Sequence, residues 1–112
     1  MESASIHVQE EMLLAKQSRA EGNEGRARVC ARRAAGTAAG HFLATRGLGT
    51  AQDNTVQSLI KLSEIDSLPE RVQTAARWLV ERVDESNNLP PEVDLIREAV
   101  IVIQFVETAS IS

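Results

Sequence analysis

From Ser5 to Glu21 the apolar positions recur at helical spacing. Ile6, Leu13 and Ala20 make a seven-residue seam, with Val8, Met12 and Ala15 beside it. The pattern predicts a first helix with that seam turned inward. Gly22 supplies the left-handed stop that a helix C-terminus favours, and Asn23 is a suitable N-cap for the next element. Two helices joined by so few residues are expected to pack antiparallel. The second runs from Gly25 to Arg46, and projecting it at the helical period gives two packing faces rather than one. Ala27, Cys30, Ala31, Ala34, Ala38, His41 and Phe42 share the expected core side.

The opposite side of this helix gathers Val29, Gly36, Gly40 and Leu43, with Arg28 and Arg32 along one edge and Arg26 and Arg33 along the other. A glycine inside a helix costs about 1 kcal/mol relative to alanine. Two of them four residues apart therefore point to something approaching closely, either another helix of this chain or a second copy of it.

Gly47 and Gly49 break the second helix. Thr50 and Asp53 then fit a cap for a third, from about Ala51 to Ile65, with Val56, Leu59, Ile60 and Ser63 on its inner side. Ser67-Leu68-Pro69-Glu70 reads as a capping box with proline in the first turn, opening a fourth helix from Leu68 to Glu85. Its stripe is Val72, Ala76, Leu79 and Val83. Trp78 lies off that stripe, on the side of Arg71, Ala75 and Arg82. Residues 85–91, ESNNLPP, read as a loop. The last segment, from about Pro91, is apolar nearly all round between Ala99 and Val106. Its β-branched run from Ile101 suits a strand, but its length and the charged turn before it favour a helix buried on several sides. The expectation is an all-α, single-domain bundle of about five helices over residues 1–112, with no repeat at a solenoid period.

Composition narrows the picture. With 112 residues the chain has room for one core, and its aromatic residues are only Phe42, Trp78 and Phe105, so alanine and branched aliphatics must fill it. The net charge of −4 divides unevenly. Residues 1–50 carry seven Lys/Arg against five Asp/Glu, and residues 51–112 carry five against eleven. That asymmetry argues against generic nucleic-acid coating but allows a local basic patch. Cys30 stands alone, which excludes an intramolecular disulfide and a zinc knuckle and suits an inert core thiol in a reducing cytoplasm. No stretch approaches the length of a membrane span, and the N-terminal residues lack a signal-peptide pattern.

Candidate chemistry is sparse. His7 faces away from the first helix's seam and reads as a surface residue. His41 projects onto the core face of the second helix. No acid lies between Arg26 and Arg46 to complete a metal site there. Cys30 and His41 are separated by about 16 Å along one helix and cannot meet within it. No phosphate-cradling glycine motif exists, and the aromatic interleaving of single-strand binders is absent. No cofactor and no metal are expected. The arginines can engage phosphate or carboxylates; alternatively they pair with acids of the C-terminal half such as Glu64, Asp66, Glu70 or Glu81, or simply stay solvated. The candidate interaction surface comprises Arg28, Arg32, Arg33, Gly36, Gly40, Arg71, Trp78 and Arg82.

Three stretches, residues 28–36, 67–83 and 89–106, together with the order of a long hairpin, a short third helix, a Leu-Pro start and an apolar last helix, resemble the HEPN group of small helical-bundle domains. The resemblance implies a homodimer and one of two activities, RNA cleavage or association with a partner such as a nucleotidyltransferase. The group's nucleases carry an arginine followed within a few residues by a histidine, late in the chain. Here Arg97 has no histidine after it, and the nearest arrangement, Arg33 and His41, falls on the second helix. The resemblance thus implies a non-catalytic member that binds a protein or a nucleotide-bearing ligand. A nuclease using Arg33 and His41 is the rival. A second similarity, of Ala15, Ala20, Gly22, Asn23, Ala27 and Ala34 to one tetratricopeptide-type helical pair, implies peptide binding, although no repeat accompanies it.

Overall fold

The first two helices form the expected hairpin. In the structure, a computed structural model, the backbone is described for residues 2–50, 52–81 and 93–111, and the side chains for residues 6–50, 52–81 and 93–109. Among these residues there are five helices and no strand: α1 (Glu2–Ala20), α2 (Glu24–Thr45), α3 (Thr55–Ser63), α4 (Glu70–Val80) and α5 (Leu95–Ile111). Gly22 takes φ of 83°, the left-handed conformation a side chain would disfavour, and Asn23 Oδ1 accepts from the Arg26 backbone N–H at 3.1 Å. Helix α2 is the axis of the bundle. It touches α1, α3 and α5 along its length, while α4 bridges the outer sides of α3 and α5. The radius of gyration, 13.3 Å, matches the roughly 13 Å expected of one domain this size.

The buried face of α1 differs from the sequence expectation. Val8, Met12, Ala15 and Ser18 are buried, whereas Ile6 and Leu13 are 51% and 57% exposed. Toward the turn the buried positions are small, Ala15 and Ser18, opposite the alanines of α2, while Val8 and Met12 fill the space further from it.

The glycine side of α2 is covered by α3. A methyl carbon at Gly36 would lie 2.9 Å from Thr55 Cβ and 3.0 Å from Thr55 Cα, and one at Gly40 would lie 3.2 Å from Ser58 Oγ. Of the two expected occupants, the structure shows a helix of the same chain. Its inner face is Ser58, Leu59, Leu62 and Ser63, while Val56 and Ile60, expected inside, are 39% and 38% exposed. The capping box also sits four residues later than expected, at Asn54 and Gln57 rather than Thr50 and Asp53. Asn54 and Gln57 exchange hydrogen bonds of 2.8 and 2.9 Å, while Asp53 accepts from Thr50 and pairs with Lys61 Nζ at 2.7 Å in the turn before.

Helix α4 starts at Glu70, and the expected Ser67–Glu70 box is not its cap. Pro69 occupies the cap position without a side-chain hydrogen bond. The cause is Leu68: a residue preceding proline is driven out of the helical region, so it cannot serve as a first helical residue. Val72, Ala76 and Leu79 are buried as expected, while Arg82, Val83 and the loop at 85–91 lie outside the described residues. Helix α5 packs on both α2 and α4, which is why its β-prone run is helical: Val102, Ile103 and Val106 are buried.

Candidate functional site

The eight residues singled out from the sequence do not form one surface. Gly36 and Gly40 lie beneath α3 and are structural. Arg32 reaches across to α4, where its guanidinium donates to the backbone carbonyls of Leu79 and Glu81. It thereby satisfies acceptors that a helix end leaves without intrahelical partners, at the negative end of the dipole. Trp78 is half-buried against the core beside that contact. Arg28 Nε stands 3.8 Å from Glu24 Oε2 one turn back on the same helix. Arg33 contacts Glu11 of α1 at 3.4 Å. Among the described residues these α2 arginines meet Glu11, Glu24 and the carbonyls of α4.

Arg71 is held elsewhere. Its two terminal nitrogens donate to both carboxylate oxygens of Glu98 on α5, at 2.7 and 2.9 Å. Glu98 is 3% exposed, and the hydrogen bonds from a planar fork compensate that burial. The same bonds raise the Arg71 pKa above its ordinary value. The sequence placed this acid in the charged turn just before the apolar run of the last helix, with no sign that it would be buried.

A second ion cluster was not anticipated. Arg19, at the end of α1, donates to Glu24 Oε1 and Oε2 at 3.0 and 2.7 Å and to Asp94 Oδ2 at 3.0 Å. Asp94 in turn caps α5 by accepting from the Ile96 backbone N–H at 3.0 Å. Hydrogen bonds from Arg19 hold the Glu24 and Asp94 carboxyls below their ordinary pKa range, and those two acids raise the pKa of Arg19. One side chain therefore fastens the α1–α2 turn to the start of α5.

The polar groups with catalytic potential stay apart. Cys30 is buried and forms no disulfide. His7 is exposed, with Nδ1 3.7 Å from Glu10 Oε1. His41 is half-buried on α2, about 12 Å along the axis from Arg33 and rotated from it by about 80°. Among the described residues no group of three His, Cys, Asp or Glu side chains is disposed to hold a metal ion. No helix among them is long and apolar enough to cross a membrane.

What the geometry does bring together is an open side of α2. Helices α1 and α3 both lie against α2 but do not touch each other. Between them runs a strip of α2 at helical spacing: Arg26, Val29, Arg33, Thr37 and Ala44. Val29 is 45% exposed, and Arg26 and Arg33 are exposed as well. On the α1 side of the strip stands Glu11, half-buried, which meets Arg33. Glu11 Oε1 is buried without a hydrogen-bond partner among the described residues. Comparison with known proteins adds nothing to this geometry: no family model, no curated protein and no solved structure matches the chain.

Proposed function

We propose that this chain is a non-catalytic helical-bundle protein of HEPN-like type that works by association, as a homodimer engaging a protein partner. The observation that carries this reading is the open side of the central helix. A bundle whose axial helix leaves a cationic strip with an exposed valine uncovered offers a surface suited to a second macromolecule. Arg32 and Arg71 are by contrast engaged within the fold, Arg32 on α4 and Arg71 on Glu98.

A nuclease would need Arg33 and His41 to act on one phosphate. Their separation along α2 and the contact of Arg33 with Glu11 place them poorly for that. The deciding experiment incubates purified protein with single-stranded and structured RNA, alongside His41→Ala and Arg33→Ala. Intact RNA in all reactions is the expected result. Cleavage that disappears in either variant would overturn the non-catalytic reading.

A further inference from the structure

We infer that the part of the open α2 strip ahead of α3 binds an acidic helical segment of a partner protein, with its carboxylates on Arg26 and Arg33. The inference rests on the association reading above and names the chemistry of the partner that reading leaves open. The contacts of the two glycines fix the place. Thr55 lies against Gly36 and Ser58 against Gly40, so α3 runs along α2 in the same direction. Its N-terminus therefore opens toward the N-terminal half of α2. Val29 lies seven residues before Gly36, two turns back and only about 20° round the helix. It stands where two further turns of α3 would have covered it, and it is instead 45% exposed. Arg26 and Arg33 lie one turn to either side of Val29, both displaced toward α1, where Arg33 meets Glu11.

Positive charge gathers at this place and is only partly neutralised. A guanidinium carries five N–H donors. Arg26 uses none of its side-chain donors on a described residue. Arg33 uses a single nitrogen, Nη1, at 3.4 Å from Glu11, and its side chain is 55% exposed. Helix α3 presents the positive end of its dipole to the same place, and its first turn holds no acid. Arg26 and Arg33 are seven residues apart, about 10.5 Å along the axis. Two acids seven residues apart on a helix laid along the strip match that spacing. An apolar residue between them falls over Val29 and gives the contact a dry centre. A nucleic acid fits less well. The Glu11 carboxylate borders the strip, and the whole chain carries a net charge of −4. Among the described residues no aromatic side chain is exposed for a base to stack on, since Phe42 is buried and Trp78 and Phe105 are half-buried.

A contact of two turns belongs to the weak class of interfaces, and its exposed charge pairs are screened by salt. The probe is a synthetic alanine-based helical peptide with two glutamates seven residues apart and a leucine between them. Its control carries glutamines in place of the glutamates. Titrated into isotope-labelled protein at low salt and followed by amide NMR, the glutamate peptide is expected to shift the signals of Arg26 to Arg33 and of the first turn of α3. The glutamine peptide, Arg26→Glu, Arg33→Gln and high salt are each expected to weaken binding by about tenfold or more. The undisturbed remainder of each spectrum shows that the variant is folded. No shift at these positions, or equal shifts from the glutamine peptide, would overturn this surface. A single-stranded RNA oligonucleotide that binds the same residues more tightly than the glutamate peptide would overturn the acidic partner. The association reading fails separately, if that oligonucleotide is cleaved.

Discussion

Gly36 and Gly40 look equivalent in the sequence, four residues apart on one face, but their surroundings separate them. A β-carbon at Gly36 collides with the Cα and Cβ of Thr55, and backbone cannot yield without moving α3. At Gly40 the nearest atom is a hydroxyl, Ser58 Oγ, which can rotate away. Gly36→Ala is therefore expected to destabilise the fold by about 1–3 kcal/mol through overpacking. Gly40→Ala is expected to be near neutral, because the helix-propensity gain of about 1 kcal/mol offsets the crowding. Urea denaturation of the two variants checks this, and equal losses would show that α3 does not seat on Gly36 as described.

Single residues also show what was legible in the sequence and what was not. Gly22 and Asn23 were readable because a left-handed stop and an N-cap act locally, through atoms a few residues away. Ile6 and Leu13 were misleading because a seven-residue spacing reports hydrophobic size, whereas the contact with alanine-lined α2 selects small side chains at Ala15 and Ser18. The close approach implied by the glycines was correctly inferred, yet its occupant depends on where α3 returns, which no local pattern states. Arg32 was legible as a hydrogen-bond donor but not as a cap for another helix. Its acceptors lie about fifty positions away in the chain.

At the scale of elements, two ion clusters join helices, and they differ in which partner is buried. In the Arg71–Glu98 pair the acid is enclosed, at 4% side-chain exposure, while the guanidinium is 52% exposed. Arg71→Met would strand a buried carboxylate, and the expected loss is about 2 kcal/mol, below that for a fully enclosed pair because one side faces water. Glu98→Leu removes the buried charge and leaves a solvated arginine, so it is expected to cost less than Arg71→Met. Thermal or urea melts that reverse this order would refute the assignment of the buried partner.

The Arg19 cluster predicts a pH response. Both Glu24 and Asp94 have folded-state pKa values lowered by Arg19. When a folded-state pKa lies below the unfolded one, the stabilisation is fully present above the unfolded value, about 4 for these acids. It is lost as pH falls through the depressed folded value. Between about pH 5 and pH 2 the protein should therefore lose stability, and Arg19→Met should lose less of it over that interval. Parallel acid titrations of the two proteins would contradict the clamp. The same variant also tests whether α5 depends on the α1–α2 turn, since Asp94 both caps α5 and accepts from Arg19.

For the whole molecule, the central position of α2 couples the two halves. The α1–α2 hairpin and the α3–α4–α5 group share one core through α2 rather than meeting at a separable boundary. Unfolding is therefore expected to be a single cooperative transition. The chain has one tryptophan, Trp78, and it sits on α4, so its fluorescence follows the second half while far-ultraviolet circular dichroism follows all five helices. The two melting curves should coincide. Curves with distinct midpoints would mean that the hairpin and the remaining helices come apart independently.

That α5 closes the core also bears on how the protein is made. Phe105 on α5 meets Phe42 of α2, with ring centroids 5.5 Å apart, and Val102 and Val106 are enclosed at the same junction. During synthesis α1 to α4 leave the ribosome before α5 does. Until then the side of α2 that α5 covers remains wet, and non-local contacts form only after the intervening chain has been ordered. When the run from Val100 to Phe105 does emerge, it is an unpaired β-prone apolar segment. The nascent chain is thus most exposed to misassociation just before its last helix docks, and a holdase chaperone or slowed translation at that point would raise the yield of folded protein.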